Sequence, residues 1–328
     1  MRRGLRGCHP PPARSPVARH PCCLSQGRAR PGFGGVLVLE VGGSSGLQVV
    51  TLACRSEDAG MDSTWVLETP APPADVRIPY GPLPHQFGDL RLPAGPGPHP
   101  VVVVIHGGFW RAKYALEHAG HLCADLTRRG FATWSLEYRR VGHDGGGWPG
   151  TLEDVALGTD FLRTLERSHA LSLARVVALG HSAGGHLAMW LGACHRLPAG
   201  GPLHREDPLR LRGVVSLAGV VDLERGFDLR LGDGIVEKFL GGAPAQVPVH
   251  YRSASPAALQ PLGLPQVLMH GNEDDTVPVS MSEAFCARGR GLGDPVRCFM
   301  LPGAGHFELI DPRSREWPQV VDAARSLL

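Results

Sequence analysis

The stretch Gly180-His181-Ser182-Ala183-Gly184 matches the pattern G-x-S-x-G, and the chemistry it offers is nucleophilic. A serine hydroxyl is a weak nucleophile near neutral pH. It needs a base within hydrogen-bond reach and a further group to orient that base. An apolar run, RVVALG (175–180), precedes the motif, and a helix-length run, about Ala183 to His195, follows it. Strand, sharp turn, helix is the context of a nucleophile elbow, in which Ser182 stands on a strained turn and Gly180 and Gly184 leave room for close packing. The plainer alternative is a glycine-rich turn in which Ser182 caps a helix. The flanking elements favour the elbow.

Two downstream stretches supply an acid and a base. HGNEDDTVP (270–278) leaves a strand-like run and presents Glu273, Asp274 and Asp275 in a row. LPGAGHF (301–307) leaves a later one and carries His306 among glycines. The order Ser, acid, His is that of hydrolases built on this strand–turn–helix plan. Asp274 lies 92 residues after Ser182 and 32 before His306, and the second gap suits one helix and one strand. Asp274 is the favoured acid and Asp275 the alternative. His181 and His186 flank the elbow and read as structural or pocket-lining groups; any base role falls to His306.

Attack of Ser182 on a carbonyl creates an oxyanion that needs backbone N–H donors. Ala183, directly after the nucleophile, offers one. VVVVIHGGFW (101–110) offers the other. Its apolar strand ends in Gly107-Gly108, where the backbone can approach a ligand closely. Gly108 and Phe109 are the expected donors, with Gly107 completing the turn. Trp110 and His181 are candidate pocket residues.

These groups must be positioned by a scaffold, and the rest of the chain describes one. Strand-like runs at 75–81, 99–107, 131–139, 175–180, 213–219, 265–271 and 295–303 alternate with helix-length runs at 115–130, 151–169, 183–195 and 314–328. Thr151 is a candidate N-cap of the second helix. Such alternation predicts an α/β fold with a mostly parallel, doubly wound sheet and helices on both faces. The candidate residues all fall just after strands, at the carboxyl edge where ligands bind in such sheets. A segment near 220–250 is a candidate cap, with Phe227, Phe239 and Tyr251 as possible pocket walls or core residues.

Composition narrows the class. Of 328 residues, 43% are hydrophobic and 20% charged, the balance of a soluble globular protein. No run of about 18 apolar residues occurs, so a membrane-spanning helix is not expected. Residues 1–60 carry eight arginines and three acids, which leaves 25 basic and 28 acidic residues in 61–328. That body offers no basic surface for nucleic acid. Eight scattered cysteines form no C-x-x-C pair and no zinc spacing, so free thiols, no metal and a cytoplasmic setting are expected. Residues 1–35, rich in Arg and Pro, read as disordered or as a transit-like leader. The apolar stretch 34–54 is split by Gly-Gly-Ser-Ser-Gly and suits a hairpin or a displaced signal segment; Met61 is an alternative start.

With HGGFW, GHSAGGHLA, HGNEDDTVP and GAGH in this order over residues 75–328, the chain resembles the α/β-hydrolase superfamily. HGG-x-W with GHSAG-x-HLA resembles its kynurenine formamidase and esterase/lipase-like branch. HYRSASPAAL (250–259) also resembles the catalytic domain of prolyl oligopeptidase-type peptidases, although no propeller domain precedes it. The resemblance implies an α/β-hydrolase catalytic domain over 75–328, with Ser182, Asp274 and His306 as its triad and His106–Trp110 as its oxyanion motif. It implies hydrolysis of a small ester or amide through an acyl-enzyme, without a cofactor. A small peptidase and a non-catalytic binding protein on the same fold are the alternatives.

Overall fold

The computed structural model describes residues 62–328 in full, and the backbone of two strands before them. Those two, β1 (Val36–Val41) and β2 (Gln48–Ala53), form an antiparallel pair with Val36 opposite Ala53 and Val41 opposite Gln48. This is the hairpin option for 34–54. The expectations for residues 1–35 lie outside the described residues. Contacts divide the chain into two units, 1–60 and 61–328.

The second unit is built on an eight-stranded sheet. A short helix, α1 (Trp65–Glu68), comes first, then β3 (Val76–Pro79), β4 (Phe87–Arg91) and β5 (His99–Ile105). Next follow α2 (Gly120–Arg128), β6 (Ala132–Leu136), α3 (Gly150–Asp160), α4 (Leu162–Leu165), β7 (Leu171–His181) and α5 (Ala183–Ala193). Then come β8 (Gly213–Leu217), α6 (Leu223–Asp228), α7 (Leu231–Leu240), α8 (Pro248–Ala254) and α9 (Pro256–Leu259). The chain finishes with β9 (Gln266–Gly271), α10 (Val279–Gly291), β10 (Val296–Leu301) and α11 (Trp317–Arg325). Strand order is β10-β9-β8-β7-β5-β6-β4-β3. The strands from β10 to β6 run parallel, and β4 and β3 run antiparallel at one edge. This is the α/β-hydrolase architecture.

The valine run now has a physical reason. Val101, Val103 and Ile105 pack into one apolar cluster, and Val102 and Val104 into another on the opposite face. All five are fully buried, each contributing roughly 1.5–3 kcal/mol. A strand covered on both faces must be apolar at every position, so alternation is absent.

Several expectations change in detail. β4 was not foreseen, because Phe87-Gly88-Asp89-Leu90-Arg91 mixes a glycine and two charges. It holds them by pairing: Arg77 forks onto Asp89, while Gly88 lies where a side chain would collide with Trp134. Thr151 is not the N-cap of α3. It lies inside the helix, where its hydroxyl donates to the Arg139 carbonyl and accepts from Gly147 N–H. Not all cysteines are free thiols: Cys286 and Cys298 form a disulfide between α10 and β10, with Cα atoms 6.5 Å apart, whereas Cys123 and Cys194 are free and buried. Among the described residues, no helix is long and apolar enough to cross a membrane.

Candidate active site

Register brings the loops together. Ile105 pairs with Gly180, His181 with Leu217, and Leu217 with Met269, so β5, β7, β8 and β9 end side by side. The candidate residues leave from these carboxyl ends.

Ser182 sits between β7 and α5 with φ 56° and ψ −120°. A non-glycine residue there stores on the order of 1–3 kcal/mol of strain. Its surroundings enforce it: Ser182 N–H donates to Leu217 O (2.8 Å), and its carbonyl accepts from His186 N–H (3.1 Å). Gly184 permits the close approach of α5. A Cβ there would lie 2.0 Å from the Ile105 carbonyl oxygen. The turn lifts Ser182 toward a cavity of about 210 Å³ that His306, His181 and Gly108 also line.

Asp274, not Asp275 or Glu273, meets the histidine. His306 Nδ1–H donates to Asp274 Oδ2 (2.7 Å), leaving Nε2 with its lone pair. Asp274 Oδ1 accepts from the N–H groups of Thr276 and Val277, both at 2.8 Å, and Oδ2 also faces His270 Nε2 at 3.2 Å. The Asp274 side chain is fully buried, whereas Asp275 and Glu273 are exposed. Burial pushes the Asp274 carboxyl up, but hydrogen bonds from His270 and His306, the charge of His306 and the Val277 N–H outweigh it. The net shift is well below the usual carboxylate range. Asp274 is therefore an anion that fixes one tautomer of His306. No hydrogen bond joins Ser182 Oγ to His306 among the described residues. Such contacts are often long until substrate binds.

The HGG-F-W loop follows β5. Gly108 (φ 106°), Phe109 (φ 52°) and Trp110 (φ 52°) are all left-handed. The Gly108 carbonyl accepts from Arg111 N–H (3.0 Å), and the Gly107 carbonyl from His106 Nδ1 (2.8 Å). Among the described residues, the N–H groups of Gly108 and Phe109 donate to no protein acceptor. Ala183, the first residue of α5, has no intrahelical acceptor for its N–H either. Gly107 itself packs against Ser182 rather than lining the cavity.

Trp110 is not a pocket residue. It is fully buried, stacks on Phe239 (centroids 4.6 Å apart) and donates from Nε1 to His186 Nδ1 (3.2 Å). A large aromatic returning to the core anchors the loop. Phe239 and Tyr251 are core residues as well, and Phe227 packs partly buried against them. The 220–250 segment meets the site at two points: Val220 N–H donates to the Ser182 carbonyl (3.4 Å), and the Gly232 backbone lies against Phe109.

His181 does line the cavity. Burial, then the charge of neighbouring His306, pushes its pKa well below the ordinary value, so the ring is neutral. Nε2–H donates to the His306 carbonyl (2.9 Å), and Nδ1 has no partner. His118, whose pKa burial and His106 push down to about 3, is another neutral wall. The remaining walls, Leu67, Tyr114, Thr276 and Phe307, were not anticipated. Thr276 and Phe307 adjoin the acid and the base, a signal that could have found them; Leu67, in a segment without pattern, left none. No Lys, Arg, Asp or Glu lines the cavity. A larger hollow of about 430 Å³ lies at the far end of α5, near His195 and Arg205, and contains none of the candidate residues. Among the described residues, no three His, Cys, Asp or Glu side chains converge as metal ligands.

Comparison with known proteins agrees with this architecture. The chain is 25% identical over 215 residues to Esterase LipQ of Mycobacterium tuberculosis, covering 64% of this chain. It spans about half the length of that curated relative (51%). Among solved structures, a truncated carbohydrate esterase from gut microbiota superposes with TM-score 0.67 at 20% identity, covering 79% of this chain and 99% of that one. The Est2 esterase of Thermogutta terrifontis superposes with TM-score 0.63 at 20% identity, covering 77% and 91%. These likenesses show the fold. The BD-FAE family model matches residues 89–288, which spans β4 through most of α10, and the chain belongs to the BD-FAE family of α/β-hydrolases.

Proposed function

We propose that the protein is a serine esterase that cleaves small, neutral carboxylic esters through an acyl-enzyme. One observation carries the reading: a buried, ionised Asp274 holds His306 beside the cavity into which the strained Ser182 turn opens. His306 Nε2 takes the Ser182 proton as Oγ attacks the ester carbonyl. The oxyanion is bound by N–H donors from Ala183 and from the Gly108–Phe109 backbone. His306 then gives its proton to the departing alkoxide, which leaves as the alcohol. Water, deprotonated by His306, attacks the acyl-serine, and collapse returns the proton to Ser182 as the carboxylic acid departs. Asp274 keeps its negative charge throughout and stabilises the imidazolium.

The walls bear on the substrate. A cavity of about 210 Å³ has room for about seven waters at liquid volume, which suits a short acyl chain and part of its alcohol. Its uncharged lining favours neutral groups. Phe109, Tyr114 and Phe307 favour an aromatic leaving group, which brings in a second reading, an aryl formamidase.

The test is fluorophosphonate labelling with p-nitrophenyl acetate turnover, comparing wild type with Ser182→Ala. Labelling and turnover that vanish together in the variant are expected. A wild type that does neither, or a variant that retains both, refutes the proposal. Release of the amine from an N-formyl-arylamine faster than from the matching acetate would favour the formamidase.

A further inference from the structure

A buried charged cluster beside the site has no part in the proton transfers above. Glu137, at the end of β6, is 2% exposed, as is Arg140, and the His106 ring is fully buried. Burying charges is costly, and such clusters are weak sources of stability. This cluster is well connected instead. Glu137 Oε1 accepts from His106 Nε2 (3.2 Å), from Arg140 Nη2 (3.0 Å) and from Tyr138 N–H (2.8 Å); Oε2 accepts from Leu116 N–H (3.3 Å). Arg140 donates onward to the carbonyl of Tyr114, the cavity wall against Gly108. The His106 ring also stacks on Tyr138 (4.4 Å, 17°), whose hydroxyl donates to the His106 carbonyl (2.7 Å).

The consequence lies in one peptide group. His106 Nδ1 donates to the Gly107 carbonyl at 2.8 Å. That carbonyl belongs to the same planar unit as the N–H of Gly108. The Gly107–Gly108 bond is not among the cis peptides of the described chain, so C=O and N–H point in opposite directions. A carbonyl held against a buried ring therefore turns the Gly108 N–H the other way, toward the side on which Gly108 lines the cavity. Without that hold, two adjacent glycines, one of them left-handed, have little to stop the peptide from flipping and presenting its carbonyl to the developing oxyanion.

We propose that His106, oriented by Glu137, is a positioning residue that sets the direction of the Gly108 N–H and so assembles the oxyanion site. The inference rests on the esterase reading given above. The two ring nitrogens divide the work. Nδ1 aims the peptide, and Nε2 locks the ring to Glu137.

A pair of substitutions separates the two roles, because an Asn amide nitrogen mimics Nδ1 and a Gln amide nitrogen mimics Nε2. Full-length His106→Asn and His106→Gln are compared with wild type for p-nitrophenyl acetate kcat and KM, for Tm, and for affinity toward a boronic acid that binds as a tetrahedral anion. His106→Gln, which loses the Gly107 hold, is expected to lower kcat and boronate affinity together, by roughly 10- to 100-fold, with KM within about threefold. His106→Asn is expected to lower Tm but to keep kcat within about fivefold of wild type. A merely structural role predicts the reverse order, since Asn leaves Glu137 without its ring partner. An Asn variant at least as impaired in kcat as Gln, or boronate affinity unchanged in Gln, overturns the proposal. Where either variant does not fold, Glu137→Gln, which weakens the bond that orients the His106 ring, replaces it: kcat and boronate affinity lowered together at constant KM support the inference, and unchanged kcat overturns it. A wild type that does not turn over p-nitrophenyl acetate would instead defeat the esterase reading.

Discussion

Gly107→Ala tests how closely the Gly107–Phe109 loop must approach Ser182 for the proposed oxyanion site to form. Gly107 has no left-handed φ, so an alanine backbone can adopt its conformation and the effect must come from space alone. A Cβ there would lie 2.9 Å from the His181 carbonyl oxygen and 3.1 Å from Ser182 Cβ. Carbon contacts settle near 3.5–4.0 Å, so the loop must retreat from Ser182 by about 0.5 Å. Oxyanion donors work at about 2.7–3.1 Å, and a retreat of that size takes a donor to the edge of bonding. Losing one donor costs about 100- to 1,000-fold in kcat. Overpacking itself costs about 1–3 kcal/mol, which lowers Tm by several degrees but leaves the protein folded at 25 °C. The assay is p-nitrophenyl acetate turnover at 25 °C with Tm by differential scanning fluorimetry. Turnover within about threefold of wild type in a folded variant would refute the geometry argued for this loop.

Asp274→Asn should lower kcat on the order of 10⁴-fold by releasing the His306 tautomer, whereas exposed Asp275→Asn should change it little; equal losses in the two would place the acid elsewhere. For Glu137, burial raises the carboxyl pKa, but the charge and hydrogen bond of His106, the charge of Arg140 and the Tyr138 N–H outweigh it and hold it down at about 2, against an ordinary glutamate value of 4.5. A depressed pKa means stability that is full above pH 4.5 and lost as pH falls toward 2. On the order of 2 kcal/mol should be gone by pH 3, and Glu137→Gln should flatten the fall in unfolding free energy between pH 5 and 3 by about that amount. Leu67, 45% exposed and lining the cavity, gives up about 1 kcal/mol of contact with an apolar substrate group when cut to alanine. Leu67→Ala should therefore lower kcat/KM about fivefold with Tm unchanged. The Cys286–Cys298 bond closes a separation of 12 residues, worth about 2–3 kcal/mol, so dithiothreitol should lower the Tm of the wild type but not of Cys298→Ser.

What the residues disclosed beforehand follows from where the constraints are local. The strands β5, β7, β8 and β9 are apolar on both faces because each is covered on both faces, and that pattern survives in one dimension. The elbow is equally local: Gly180, Ser182 and Gly184 must be those residues for α5 to start where it does. β4 was illegible for the opposite reason. Asp89 and Arg91 are tolerated there only because residues distant in sequence, Arg77 for the first and the Pro72 carbonyl for the second, partner them. The choice among Glu273, Asp274 and Asp275 was of the same kind. Three adjacent acids look alike until Thr276 and Val277 turn the chain and bury one of them against His270.

The fate of the aromatics after Gly107-Gly108 bears on substrate selection. Phe109 and Trp110 are neighbours with the same φ, yet one lines the cavity and the other is in the core. Trp110 has two partners that only the fold supplies, Phe239 from α7 and His186 from α5. Phe109 has the Gly232 backbone behind it, among the left-handed residues Arg230, Gly232, Asp233 and Gly234 at the irregular start of α7. The same helix thus holds both residues, Trp110 directly and Phe109 through its irregular start. A change at Gly232 would press on Phe109 and reshape that wall of the cavity without touching Ser182, Asp274 or His306, because a Cβ there would lie 2.8 Å from the Phe109 ring. On the esterase proposal, residues 220–250 therefore influence which ester fits by setting one wall from behind. Variation in that segment should move KM between substrates while leaving the rate of fluorophosphonate labelling nearly constant.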